Sequence, residues 1–363
     1  MASTFGDQLR VSIFGESHGP AIGVTVDGFP AGAEISLDKL NQFLTRRKGG
    51  QNAFSTPRAE ADAPEILSGF LNGKTTGAPF SAIIRNENTR SADYSTIFDK
   101  PRPSHADYTA SVKWHGSADL RGGGHFSGRL TAPLCIAGGI ALQILETRGI
   151  YVGAHLASIG TACDDMFPIF PDSTMFSNVA SKSFPTISDT AAKEMQAQIM
   201  TAKNESDSIG GTIECAAIGL PAGLGSPMFD GIENRISSVL FGIPAVKGVE
   251  FGGGFDMCTK RGSEVNDAFC INGNGEIATK SNFSGGIQGG ITNGMPLRLR
   301  VGIKPTPSIG QVQQTISLEK HENTTIQIAG RHDPCIAQRA VPVVEAAVAC
   351  VLLDILLVNG YFE

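Results

Sequence analysis

The chain has 363 residues, 41% hydrophobic and 18% charged, and its 29 Lys+Arg against 35 Asp+Glu give a formal charge of −6. That balance is globular and excludes a disordered or coiled-coil protein; the length suffices for one large core or two lobes. Mild acidity without a long like-charge block argues against a protein that coats nucleic acid.

The start, MASTFGDQLRVSIFGES, lacks the basic and apolar regions of a signal peptide. Arg10–Phe14 and Ala21–Asp27 read as strands, and Ser36 caps a helix with Leu37, Leu40, Phe43 and Leu44 on one face. Phe80–Ile84 is a further strand. A second helix begins near Ser127, runs through Leu130, Leu134 and Leu145, and stops at Gly149. Asp164–Asp189, rich in Pro, Ser and Phe, reads as a connection. Asp189 caps a third helix reaching about Lys203, Thr212–Ile218 is a strand, and a fourth helix spans about Phe229 to Leu240. Val246–Phe251, Leu297–Ile303 and Thr325–Ile328 are β-type runs. The last helix begins after Pro342 and ends before Gly360. Its apolar stretch carries Glu345 and Asp354, which a membrane span rarely tolerates, so it reads as a buried helix.

VTVDGFPAG (Val24–Gly32) and CAAIGLPAG (Cys215–Gly223) each read as strand, Pro-Ala-Gly, then helix. The repeat suggests one domain, 1–363, of two halves related by a pseudo-twofold, roughly 1–205 and 206–363. The class is α+β, with helices on mixed or antiparallel sheets. The seven cysteines are scattered, odd in number and without a C-x-x-C pair, which argues against disulfides and zinc. A soluble, reduced, cytoplasmic protein is expected, with no metal, nucleic acid or membrane partner.

Glycine is abundant: 44 residues, roughly twice the usual share of about 7%. Clusters such as Gly122-Gly123-Gly124 serve tight turns or close approach to a ligand. His18 follows the first strand in Gly15-Glu16-Ser17-His18-Gly19-Pro20 and suits a proton donor or a loop histidine bonded to its own turn. His105 lies in RPSHADY; Asp107 either folds back and favours a charged His105, or caps a helix. Arg121-Gly-Gly-Gly-His125-Phe126-Ser127-Gly-Arg129 precedes a helix, where backbone N–H groups and two arginines suit a phosphate. Arg46-Arg47-Lys48 favours the negative end of the first helix, and Arg58 can join it around an anion. Lys304-Pro305-Thr306-Pro307-Ser308 ends a strand with a cation and hydroxyls. Arg331-His332-Asp333-Pro334 is either a helix start or an acid–base cluster, and Cys335 reads as a small buried residue.

Gly15–Gly19 (GESHG), Arg102–Tyr108 (RPSHADY), Arg121–Thr131, Pro244–Glu250 (PAVKGVE), Ser281–Gly294 (SNFSGGIQGGITNG), Lys304–Ser308 and Arg331–Pro342 (RHDPCIAQRAVP) resemble the chorismate synthase family, in order over the whole chain. The compact length resembles bacterial members. The resemblance implies a β-α-β sandwich and conversion of 5-enolpyruvylshikimate 3-phosphate into chorismate, the last common step of the shikimate pathway toward aromatic amino acids. The reaction is a 1,4-anti-elimination of phosphate and a ring hydrogen, and reduced FMN takes part without net redox change. It implies His18 protonating the departing phosphate, His105 serving the flavin near N1, and Asp333 accepting the proton from N5. It further implies Arg47, Arg129 and Arg339 on the substrate, with Arg47 also on NADP. The flavin would lie against His125, Phe126, Ser127, Pro244, Ala245, Gly289, Lys304, Pro305, Thr306, Pro307, Ser308 and Arg331. A homotetramer fed by an external flavin reductase is implied as well.

The chain departs from the family pattern in several places. The glycine loop continues His125-Phe126-Ser127-Gly128-Arg129-Leu130-Thr131 where Arg-Ala/Ser-Ser-Ala-Arg-Glu-Thr is usual. Ser104 replaces glycine, Lys48 proline and Pro307 serine, and Ala53 stands where many members have a basic residue. Two other readings compete: a catalytically silent binder of flavin or a phosphorylated metabolite, and a phosphate-ester hydrolase using His18 and Arg47. The hydrolase would usually need a metal, for which no ligand spacing is visible.

Overall fold

The structure, a computed structural model, describes residues 3–50, 54, 62–86, 98–328 and 333–362. Two five-stranded antiparallel sheets flank a layer of helices. The first sheet is built from β1 (Thr4–Phe5), β2 (Arg10–Gly15), β3 (Ala21–Asp27), β4 (Glu65–Ser68) and β7 (Phe80–Arg85), in the order β1-β2-β3-β7-β4. The second holds β8 (Tyr151–Ile159), β9 (Ala162–Cys163), β10 (Gly211–Ile218), β11 (Val246–Phe251) and β16 (Leu297–Ile303), in the order β11-β16-β10-β8-β9. Between them, α3 (Thr131–Glu146) packs on the first sheet and on α8 (Ala337–Val358), which packs on the second. Close approach needs Gly138, where a Cβ would fall 2.2 Å from that of Ala346. The apolar interior of α3 and α8 lies within this layer, so their length and hydropathy belong to a protein core.

The sequence expectations hold for most elements and fail for stated reasons at others. Ser36 caps α1 (Leu37–Arg47) by accepting from Lys39 N, and Leu40, Phe43 and Leu44 are buried, but Leu37 faces out. Ser188, not Asp189, caps α5 (Asp189–Asn204). The helix expected from Phe229 is α6 (Ile232–Leu240), because Met228–Asp230 forms a separate 3₁₀ turn. α8 begins at Ala337, before Pro342, which forfeits one backbone bond near the helix start. The Asp164–Asp189 connection contains α4 (Ser173–Ala180), capped by Asp172, and covers the second sheet. β8 carries no clear strand signal in the sequence because Gly153 and His155 interrupt its apolar run; a Cβ at Gly153 would strike Phe176 of α4. The final β-type run is β18 (Glu322–Gln327), paired with β17 (Val312–Ser317), while β12 (Phe269–Ile271) and β13 (Ile277–Thr279) form a small exposed hairpin. The short helix α7 (Gly262–Val265) precedes that hairpin.

The Pro-Ala-Gly repeat extends to hydrogen bonds. The hairpin β5 (Phe70–Leu71) to β6 (Lys74–Thr75) turns at Asn72-Gly73, and β14 (Ile287–Gln288) to β15 (Ile291–Thr292) turns at Gly289-Gly290. All four turn residues have positive φ, as such two-residue turns demand. Thr75 Oγ1 donates to Pro30 O and accepts from Ala33 N; Thr292 Oγ1 donates to Pro221 O and accepts from Leu224 N. The connectivity β2-β3-α1-β7-α3 recurs as β8-β10-α6-β16-α8. The repeats therefore join between Glu146 and Tyr151. A division near 205 does not follow the sheets, since β8 and β9 precede it yet belong to the second.

Buried charges tie these layers together. Glu345 accepts from both Nη atoms of Arg46 and from Ala154 N. In the second sheet His155 Nε2 donates to Glu214 at 2.8 Å and Nδ1 lies 3.1 Å from Asp164. Burial pushes the thiols of Cys135 and Cys335 up to about 12, so neither is a nucleophile at neutral pH.

Candidate active site

Three connections and the end of α1 converge. The β2–β3 turn carries His18, which is buried, and is held by Asn86 Nδ2 donating to Glu16 O and Gly19 O. Ser17 N donates to Gly124 O, bringing the glycine loop against the turn. A Cβ at Gly122 would fall 2.1 Å from His18 Nδ1, and the residue has φ +61°, so only glycine permits this contact.

The connection from β7 to α3 supplies His105. Asp107, first residue of α2 (Asp107–Lys113), makes no cap there; its carboxylate turns back. Oδ1 accepts from His105 Nδ1 at 2.6 Å and from Arg102 Nη2 at 2.7 Å, and Oδ2 accepts from Arg102 Nε and N. Burial alone would raise the Asp107 carboxyl; its bonds to Arg102 and His105 outweigh that and hold it well below the usual carboxylate range. The Gly123 position lies 3.4 Å from His105 Nε2, measured to an ideal Cβ, so the loop spans from one histidine to the other.

The connection from β16 to α8 supplies Lys304–Ser308. Lys304 N donates to Ala245 O, beside Pro244, and Lys304 Nζ donates to Ser104 O at 3.0 Å. Burial and nearby Lys247 lower the Lys304 ammonium. Ser308 Oγ accepts from Arg102 Nη1 at 3.3 Å. Pro307 O and Thr306 O are held by Gln313 and Ser208, Pro305 packs against Gly210, and the buried Thr306 Oγ1 has no partner among the described residues.

Three arginines gather beside these loops. Asp62 Oδ2 accepts from Arg47 Nη2 at 2.5 Å, and Oδ1 accepts from Arg129 Nη1. Burial would raise the Asp62 carboxyl, but Arg47 and Arg129 outweigh it and lower it. Arg129 Nε donates to Asn86, which joins this cluster to the His18 turn. Arg339 Nε donates to Arg47 O, and Nη1 donates to Asp333 Oδ2 at 2.5 Å. His18, His105 and Asp333 thus belong to one connected cluster.

A planar, phosphate-bearing cofactor fits what these residues offer. The glycine loop presents side-chain-free backbone, Lys304 a cation, and Thr306 an unpartnered hydroxyl. Phe126 packs against Trp114, with ring centroids 5.4 Å apart and the planes tilted by 46°. Both ring nitrogens of His125 are engaged, Nδ1 donating to Gly15 O and Nε2 accepting from Ser3 Oγ, so any ligand contact there falls to other atoms. Ser127 Oγ caps Arg129 N.

A family model described as chorismate synthase matches residues 9–357. The chain belongs to the chorismate synthase family. It is 43% identical over 358 residues to the chorismate synthase of Methanothermobacter thermautotrophicus, covering 99% of this chain and 95% of that one. It is 47% identical over 350 residues to that of Korarchaeum cryptofilum, covering 96% of each. A crystal structure of chorismate synthase superposes with a TM-score of 0.77 at 29% identity, covering 98% of this chain and 93% of the other. The protein is accordingly an enzyme, a lyase acting on a phosphate ester, and the findings give no support to a silent binder.

The structure brings together both histidines, the glycine loop and the strand-end lysine that the sequence motifs singled out. Gly289 lies at a hairpin tip whose neighbour Gly290 packs on Ser226 and Gly231, and no described contact joins it to the histidine cluster. Arg331, His332, Arg58 and Ala53 lie outside the described residues. Motif reading missed Asp62, Asn86 and the clamping role of Arg102. Arg102 had a local signal, a carboxylate five positions on within RPSHAD; Asp62 and Asn86 had none, since their partners are remote in sequence.

Proposed function

We propose that this enzyme binds 5-enolpyruvylshikimate 3-phosphate beside reduced FMN and releases chorismate and phosphate. The observation that carries the reading is that one glycine loop makes room for both histidines, since a Cβ at Gly122 would strike His18 and one at Gly123 would come 3.4 Å from His105 Nε2, with Lys304 bonded to Ser104 O and the arginines bridged by Asp62. When bound, the reduced flavin supplies the electron density that assists loss of the allylic phosphate. His18 protonates the departing phosphate. His105 offers Nε2 to the flavin edge, and Asp333 stands as the proton acceptor. Lys304 to Ser308, with the glycine loop and Ala245, hold the cofactor. Arg129, Arg339 and Arg47 orient the substrate's anions, each charge-assisted bond contributing roughly 1.5–3 kcal/mol. Of the two ligands assigned to Arg47, substrate is better supported than NADP, because its buried guanidinium is turned toward Asp62 and Thr131. A cytoplasmic homotetramer supplied by an external reductase completes the reading; exposed Phe229, Phe255 and Phe269 provide apolar surface for association.

The test is an anaerobic assay with photoreduced FMN and the enolpyruvyl substrate, following chorismate absorbance and phosphate together. Equal release of both, dependent on FMN, is expected. Phosphate without chorismate, or turnover without FMN, overturns the reading. Asp333→Asn should lower turnover by about 10²–10⁴, the range for a removed acid or base.

A further inference from the structure

We propose that Asp107 is a positioning residue that locks His105 in the tautomer protonated at Nδ1, against a competing donor, and thereby keeps Nε2 unprotonated where it faces the glycine loop. His105 Nδ1 has two neighbours of opposite character. Asp107 Oδ1, at 2.6 Å, only accepts; Arg102 Nη2, at 3.0 Å, only donates. With Asp107 ionised, Nδ1 must carry a proton to satisfy the shorter contact. Arg102 meanwhile is committed to the same carboxylate through Nε, Nη2 and its backbone N–H. Without that carboxylate Arg102 would donate to Nδ1, and the ring proton would move to Nε2. The proton-accepting atom would then be lost from the face that meets Gly123.

Asp107 and Arg102 are buried, whereas the His105 side chain keeps 16% exposure. Nε2 has no hydrogen-bond partner among the described residues. Arg102 Nη1 reaches Ser308, so the same guanidinium ties the histidine to the Lys304–Ser308 segment. Nothing here depends on bound flavin; only the consequence for turnover rests on the function proposed above.

The experiment is solid-state ¹⁵N NMR of histidine-labelled protein without ligand, at a pH where His105 is neutral, with the signal assigned by His105→Gln. Wild type should show Nδ1 protonated and Nε2 bare, and Asp107→Asn should reverse them. In the anaerobic assay Asp107→Asn should lower kcat by about 10²-fold while KM stays within about threefold. A wild-type spectrum with the proton on Nε2, or an Asp107→Asn spectrum unchanged from wild type, overturns the proposal. The wild-type measurement decides even if the variant does not fold. A reversed tautomer with unaltered kcat upholds the lock and instead overturns the role given to His105.

Discussion

His105 and His155 both sit against carboxylates, yet they differ in their second nitrogen. His105 bonds through Nδ1 alone and turns Nε2 to the glycine loop. His155, inside the second sheet, uses both: Nε2 to Glu214 and Nδ1 to Asp164 and the Leu156 carbonyl. Each of those partners accepts, so His155 carries both protons. Burial alone would pull its imidazole down; the bonds to Asp164 and Glu214 outweigh that and raise it. A histidine becomes available for chemistry when the fold leaves one nitrogen unspent, and a fully buried one cannot be left so without cost.

The contrast is sharpest in activity. His18→Ala or His105→Ala should lower turnover by about 10²–10⁴ with a smaller shift of the urea midpoint than loss of His155 causes, and a variant that keeps near wild-type turnover removes its residue from the chemistry. His155→Leu should do the reverse. It removes one charged partner from Glu214, which keeps Arg298 and Phe167 N, and from Asp164, which keeps Ile187 N and Ser188 N; the loss should cost roughly 1.5–3 kcal/mol in urea unfolding, and kcat per folded molecule should stay near wild type.

A subtler difference appears with pH. Because the folded His155 value is raised, its contribution is full below the ordinary histidine value of about 6.5 and drains away as pH climbs through the folded value. The stability advantage of wild type over His155→Gln should therefore shrink on the alkaline side, as measured by urea midpoints from pH 6 upward. A constant gap would mean that His155 is not charged in the fold. The smallest effects separate two glycines of one loop. Gly122→Ala intrudes on His18 and should cut turnover at least about tenfold. Gly128→Ala meets nothing within 4 Å and should change stability by less than about 0.5 kcal/mol in the same urea titration.

The two repeats show where sequence reading succeeds. Pro-Ala-Gly turns and two-residue hairpins are specified locally, by positive φ at Gly73 and Gly290 and by fixed proline geometry, so their residues betray them. The strand β8 betrayed less, because its small residues answer to the ring of Phe176. Asp107 was readable as a cap or as a partner of His105, and only the position of Arg102 chose between them.

By itself the amino-acid sequence determined the family, most of the strands, the amphipathic helices and the loops that carry His18, His105 and Lys304, since each rests on neighbours within a few residues. The tertiary structure alone decided that Asp62 bridges Arg47 and Arg129, that Asn86 joins the arginines to the His18 turn, and that His155 is a strut. Those pairings depend on distances across space between remote segments, and burial forces each charge to find a partner wherever the fold has placed one.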